Sequence, residues 1–138
     1  MIIGQSGSGK SVLAKSIVGL HVPETGEVLF DGRNFLNMTR AEKTEVRKEI
    51  GMLFQGSALF DSMTVEENVM FPLKMFTKKT NSEMLDRVNF VLKRVNLENA
   101  NKKIPAELSG GMQKRVAIAR AIVMNPKYLF CDEPYSGL

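Results

Sequence analysis

The sequence predicts an α/β fold, a mainly parallel sheet carrying an inserted helical segment. Three observations support it. A short apolar run leads through GQSGSGKS (4–11) into SVLAKSIVGL, where Val12, Leu13, Ser16, Ile17 and Leu20 fall near helical spacing. A second apolar run, KYLFC, ends in the adjacent acids Asp132 and Glu133. Residues 60–108 are rich in helix signals, with strand signals on both sides. The chain therefore reads as one domain, with 1–59 and 109–138 forming a core and 60–108 a mainly helical insertion.

Composition sets the limits. A length of 138 residues suffices for one domain with a true core. Hydrophobic content of 43% and charged content of 25% are ordinary for a globular protein. The apolar runs are far too short to span a bilayer, and no signal-peptide pattern is visible. The single cysteine excludes an intrachain disulfide and fits a reducing compartment. A net charge of +4 raises nucleic acid or an anionic membrane as partners. The basic residues are spread over several amphipathic segments, which reads as solvated faces, so no specific nucleic acid is expected.

The elements follow in order. GEVLFDG (26–32) reads as a strand closed by a turn. Thr39 with Glu42 forms a capping box for a helix through RAEKTEVRKE, and IGMLF (50–54) is a buried-strand run. Thr64 with Glu67 is a second capping box, opening VEENVMFPL with Pro72 near its end. TKKTNS (77–82) reads as a loop, and Leu85, Val88, Leu92 and Val95 form the stripe of a long helix after it. IPAELSGGM (104–112) breaks that pattern before the helix QKRVAIARAIVM, whose stripe is Val116, Ala119 and Val123. Tyr128–Cys131 is apolar enough for a central strand, with Cys131 as a small buried hydrophobe, and His21 reads as a surface residue.

Three stretches carry chemistry. Gly4 through Ser11 fit the pattern G-x-x-x-x-G-K-S. Glycines permit backbone shapes closed to other residues, so successive amides turn inward on an anion. The following helix adds free N–H groups and its positive dipole end. Lys10 supplies a point charge, and the Ser11 hydroxyl suits Mg²⁺. A flexible glycine–serine turn would need neither the lysine nor the strand–loop–helix context. Asp132 and Glu133 lie at the C-terminal end of a strand, where ligands bind in open α/β sheets. One carboxylate there can hold a metal and the other can orient or deprotonate water. In LSGGMQKR, Ser109, Gly110 and Gly111 open another helix and form a second anion-binding turn. One nucleotide cannot easily use both helix N-termini within a small domain, which points to a dimer sharing its sites.

With these residues in place, the chain resembles the nucleotide-binding subunits of ABC transporters over essentially its whole length. GQSGSGKS resembles the Walker A loop, LFQ puts Gln55 at the Q-loop glutamine, LSGGM resembles the signature, and YLFCDEP resembles Walker B. YSGL (135–138) resembles the start of the D-loop. The stretch GMLFQGSALFDSMTVEENVMFPL looks most like ATPases of the Mla/Mce lipid-trafficking systems. Met112 departs from the commoner LSGGQ and fits that subgroup.

The resemblance implies a P-loop NTPase core of the ABC ATPase type and hydrolysis of ATP with Mg²⁺ by the parent protein. Gly4, Gln5, Ser6, Gly7, Ser8, Gly9, Lys10, Ser11 and Val12 would contact ATP. Ser11, Gln55 and Asp132 would organise the metal, and Glu133, Gln55 and Lys10 would be catalytic. Ser109, Gly110, Gly111, Met112 and Gln113 would act on the nucleotide held by a second subunit, in a homodimer. An integral membrane permease would be the further partner, which implies a place on the cytoplasmic face of the plasma membrane. The family's strand pair before the phosphate loop and its D-loop aspartate and switch histidine have no counterpart here, and His21 cannot be the latter. The resemblance thus implies an ATPase domain cut at both ends, with weak nucleotide binding and little turnover of its own. Two alternatives stay open: a soluble ABC-type ATPase acting on ribosomes or DNA, or a piece that binds nucleotide without turnover.

Overall fold

The computed structural model describes residues 4–5, 7–54 and 56–132. Helix α1 (Lys10–Ile17) is followed by a hairpin of β1 (Leu29–Phe30) and β2 (Arg33–Asn34). Then come α2 (Arg40–Lys48), β3 (Ile50–Leu53), α3 (Val65–Phe76), α4 (Asn81–Arg94), α5 (Gly110–Ile122) and β4 (Tyr128–Cys131). Strand β4 lies parallel to β3, with Ile50 beside Tyr128 and Leu53 beside Cys131, whereas the β1–β2 pair is antiparallel. The GEVLFDG strand of the sequence is thus the first arm of a short hairpin.

Local chemistry explains the helix starts. Thr39 and Thr64 both close capping boxes, accepting from the Glu42 and Glu67 amides while those carboxylates accept from the threonine amides. A third box, Thr80 with Glu83, opens α4 inside the TKKTNS stretch, so the loop there ends before Asn81. The helix after Thr64 does not stop near Pro72. It continues to Phe76, because Leu73 is buried beyond the proline and Thr77 closes the end by donating from its amide and hydroxyl to the Leu73 carbonyl.

Two apolar clusters form. The larger joins Val65, Val69 and Leu73 of α3 with Met84, Val88 and Leu92 of α4, Val116 and Ala119 of α5, and Val123 just after α5. The α4 stripe is turned from the expected one: Met84, Val88, Val91 and Leu92 are buried, with Leu85 and Val95 at the margin. The cause is that α4 contacts both α3 and α5, so its apolar face is wider than a single seam. The smaller cluster gathers Phe30, Phe35 and Val46 against Ile50, Tyr128 and Phe130. Helix α5 also lies directly on β3, where a Cβ on Gly51 would stand 2.3 Å from the Ala121 carbonyl oxygen.

Strand β4 pairs with β3, its one partner among the described residues, and Leu129 on it is half exposed. The expectation of a buried Cys131 needs correction. Cys131 lies on that same exposed face because side chains alternate along a strand. Desolvation nevertheless pushes its thiol pKa up, which disfavours the reactive thiolate. The apolar side of α1 is also open, with Val12 and Leu13 exposed and Ser16 buried.

Candidate functional site

The glycine-rich loop runs into α1 through two left-handed glycines, Gly7 at φ 81° and Gly9 at φ 89°. A Cβ at either would meet nothing within 4 Å, so these positions require glycine for backbone shape and not for space. Gly9 is the N-cap of α1, and no side chain caps that terminus. The first-turn amides could meet an anion there. The Ser8 amide donates to the Gln5 carbonyl, closing the loop on itself. The Lys10 ammonium donates to the Gly4 carbonyl at 2.8 Å and the Gln5 carbonyl at 2.7 Å. It lies folded across the loop that it would share with a phosphate.

The acid at the end of β4 meets this loop. Ser11 Oγ donates to Asp132 Oδ1 at 2.8 Å. Asp132 is buried, and its amide donates to the Leu53 carbonyl, continuing the β3–β4 ladder by one residue. The two oxygens fit the metal called for by the sequence. Mg²⁺ binds through one or two protein oxygens and completes its shell with phosphate and water. Among the described residues, no group of three metal-ligating side chains competes with that arrangement.

The second turn stands separately. Ser109 caps α5 by accepting from the Met112 amide at 3.2 Å, and Ser109, Gly110 and Gly111 are exposed. Met112 packs against the larger apolar cluster. Gln113 turns back, its side-chain amide donating to the Pro105 carbonyl at 2.9 Å. Thus the serine and glycines face outward while the next two side chains anchor the turn. Ser6, Gln55 and Glu133 lie outside the described residues.

Two grips near the end of β3 were not foreseen. Asn68 is fully buried and satisfies the turn before α3. Its Oδ1 accepts from the Phe60 amide at 2.8 Å, and its Nδ2 donates to the carbonyls of Phe60, Met63 and Thr64. An asparagine on the apolar side of a helix, between Val65 and Val69, was the available signal. Arg120 of α5 donates to the carbonyls of Ser57 at 3.0 Å and Ala58 at 2.9 Å. Burial pushes its pKa down. An arginine amid the alanines of that helix hinted at an internal partner but not at which one.

The glycine-rich loop and the strand-end acid are bonded at the end of a parallel strand pair, which is where open α/β proteins place their ligand sites. The chain belongs to the ABC transporter family, whose profile matches residues 1–136. It is 47% identical over 138 residues to the probable ribonucleotide transport ATP-binding protein mkl of Mycobacterium leprae, covering all of this chain and 40% of that protein. It is 43% identical to the intermembrane phospholipid transport system ATP-binding protein MlaF of Haemophilus influenzae, covering 99% of this chain and 52% of that one. It is 44% identical to the methionine import ATP-binding protein MetN 1 of Staphylococcus aureus, with 99% and 40% covered. Among solved structures, a dimeric ATP-binding cassette in a post-hydrolysis state bound to ADP and Pi superposes with a TM-score of 0.87 at 37% identity. That match covers 98% of this chain and 60% of the cassette. The fold is that of an ABC ATPase cassette, and the chain spans about half the length of the curated relatives it matches.

Proposed function

We propose that the chain supplies the nucleotide-binding machinery of an ABC transporter ATPase, which hydrolyses ATP between two copies. The observation that carries this reading is the Ser11–Asp132 bond at the mouth of the glycine loop. It sets a hydroxyl and a carboxylate beside the loop where a triphosphate and its metal would lie. Lys10 and the loop amides from Gly4 to Ser11 neutralise the phosphates, and Val12 follows in the first turn of α1. Ser11, Gln55 and Asp132 are the residues that would hold Mg²⁺, whose role is to offset charge on the phosphate oxygens. Glu133, next after Asp132, orients and deprotonates the attacking water. The exposed Ser109–Gly111 turn closes the site of the second copy, with Met112 and Gln113 holding its shape. Such catalysis is positioning and charge stabilisation.

The division into a core (1–59, 109–138) and a helical part (60–108) belongs to the same reading. An apolar groove of about 270 Å³ lies where they meet, lined by Met52, Phe54, Phe60, Phe71, Met75 and Arg120 among others. It suits a short helix of a membrane permease, which would hold the protein on the cytoplasmic face of the membrane. No helix among the described residues is long and apolar enough to cross a membrane itself. For cargo we favour lipid, on the likeness to MlaF and the ALFDSMTV stretch. Other relatives are named for ribonucleotide and methionine transport.

Glu133→Gln in the full-length protein tests it. The amide keeps size and hydrogen bonding but removes the proton acceptor. ATP binding should persist, hydrolysis should stop, and ATP with Mg²⁺ should trap a dimer in gel filtration. A monomer that hydrolyses at the wild-type rate would refute the assignment. Co-purification with a permease, followed by phospholipid-transfer assay, decides the cargo.

A further inference from the structure

Three consecutive residues after β3 are left-handed: Gly56 at φ 74°, Ser57 at φ 67° and Ala58 at φ 44°. Glycine takes that shape freely, but serine and alanine do so only at a cost. The run folds so tightly that the Ala58 amide donates to the Gly56 carbonyl at 2.8 Å. Something must hold it there.

The holding group is the Arg120 guanidinium. It donates one N–H to each of the carbonyls of Ser57 and Ala58 and lies 5.9 Å from the Phe60 ring centre. Among the described residues no carboxylate pairs with it. A planar fork gives each of the two carbonyls its own N–H in a fixed geometry, which a single ammonium nitrogen does not. The segment just beyond is fixed independently, because Asn68 grips Phe60 and Met63. The 56–58 run is therefore the part of this loop whose carbonyls α5 holds through Arg120.

Helix α5 is a single element from its Ser109 cap to Ile122. Its far end is seated on β3 without space to spare at Gly51. Arg120 therefore ties the turn leaving β3 to the helix whose first residues are Gly110 and Gly111. We propose that Arg120 is a positioning residue that holds Ser57 and Ala58 in their left-handed shape and transmits movement of the Ser109–Gly111 turn to the mouth of the apolar groove. The functional half of this inference rests on the ATPase reading above. The mechanical half rests on the loop alone.

A double-mutant cycle in the full-length protein separates the two. Arg120→Lys keeps the charge and loses the fork. Ala58→Gly removes most of the conformational cost that the fork offsets. Arg120→Lys should speed hydrogen exchange of the 56–58 backbone by about tenfold and lower ATP turnover by a similar factor, since one left-handed alanine is worth about that much. ATP affinity should stay within about twofold, because Lys10 and Ser11 are untouched. In the Ala58→Gly background the same Arg120→Lys change should cost less than about threefold in exchange and in turnover. A merely packed arginine would show no such rescue.

Equal losses in both backgrounds, or unchanged exchange in Arg120→Lys, would overturn the proposal. Should Arg120→Lys fail to fold, Ala58→Gly alone decides by exchange: slower exchange of 56–58 supports a strained turn, and faster exchange refutes it. If the wild-type protein shows no turnover, the ATPase reading fails while the exchange cycle still decides the role of Arg120.

Discussion

Ser11 Oγ and Asp132 Oδ1 stand 2.8 Å apart although 121 positions separate them in sequence. The hydroxyl at the start of α1 thus donates to the carboxylate beyond β4, and both groups keep oxygen lone pairs that a cation could use. Replacing Ser11 with alanine should strip the metal dependence from nucleotide binding. The expected result in the full-length protein is ATP affinity with Mg²⁺ lowered by about tenfold or more, toward the value without Mg²⁺. Calorimetric titration with and without the ion checks this. An undiminished Mg²⁺ effect would remove Ser11 from the metal site.

Lys10→Ala should weaken ATP binding further. The ammonium both offsets phosphate charge and braces the loop through the Gly4 and Gln5 carbonyls. Loss of charge-assisted bonds of this kind corresponds to a fall in affinity of about 10- to 100-fold. Fluorescent-nucleotide titration of the full-length protein reads it directly, and an unchanged Kd would defeat the phosphate-loop reading.

Asn68→Ala should damage stability while leaving nucleotide affinity alone. The side chain is fully buried and serves four backbone groups of the 60–64 turn. Removing it should cost about 2–4 kcal/mol, less wherever water reaches the freed groups. Urea unfolding gives the number. A loss under about 0.5 kcal/mol would show that the turn does not depend on Asn68.

Acid should loosen the helix starts. Glu42, Glu67 and Glu83 have carboxyl pKa values below the ordinary 4.5 because each accepts from its capping threonine, with the Thr39 hydroxyl leading at Glu42 and the backbone amides of Thr64 and Thr80 at the other two. A carboxylate with a depressed folded pKa stabilises fully above its unfolded pKa and loses that contribution as pH falls through the folded value. Melting temperature should therefore be flat from neutral pH down to about 5 and fall below about 4.5. Glu67→Gln should make that fall shallower, as an amide does not titrate. An equal slope in both proteins would deny the Thr64–Glu67 box a part in acid unfolding.

The first two capped helix starts and the glycine-rich turn were legible because their signals are local. Thr39 with Glu42 and Thr64 with Glu67 declare themselves within four residues, and the glycine loop must bend as it does to expose its amides. The third box was hidden because TKKTNS looks like uninterrupted polar loop. Pro72 misled for the opposite reason: a local rule against proline lost to the burial of Leu73 and the Thr77 closure. The α4 stripe was read one face too narrow, since spacing within one helix does not reveal that it has two neighbours.

The α/β alternation, the two capping boxes at Thr39 and Thr64 and the three motif stretches are written locally, since each depends on residues near one another along the chain. The Ser11–Asp132 bond, the grip of Arg120 on the Ser57 and Ala58 carbonyls, and the exposed face that carries Cys131 and Leu129 arise only in the assembled fold. The physical reason is distance along the chain. A hydrogen bond acts over about 3 Å, and nothing in the local pattern fixes which remote group will be carried to that range until helix α5 is seated on β3 at Gly51.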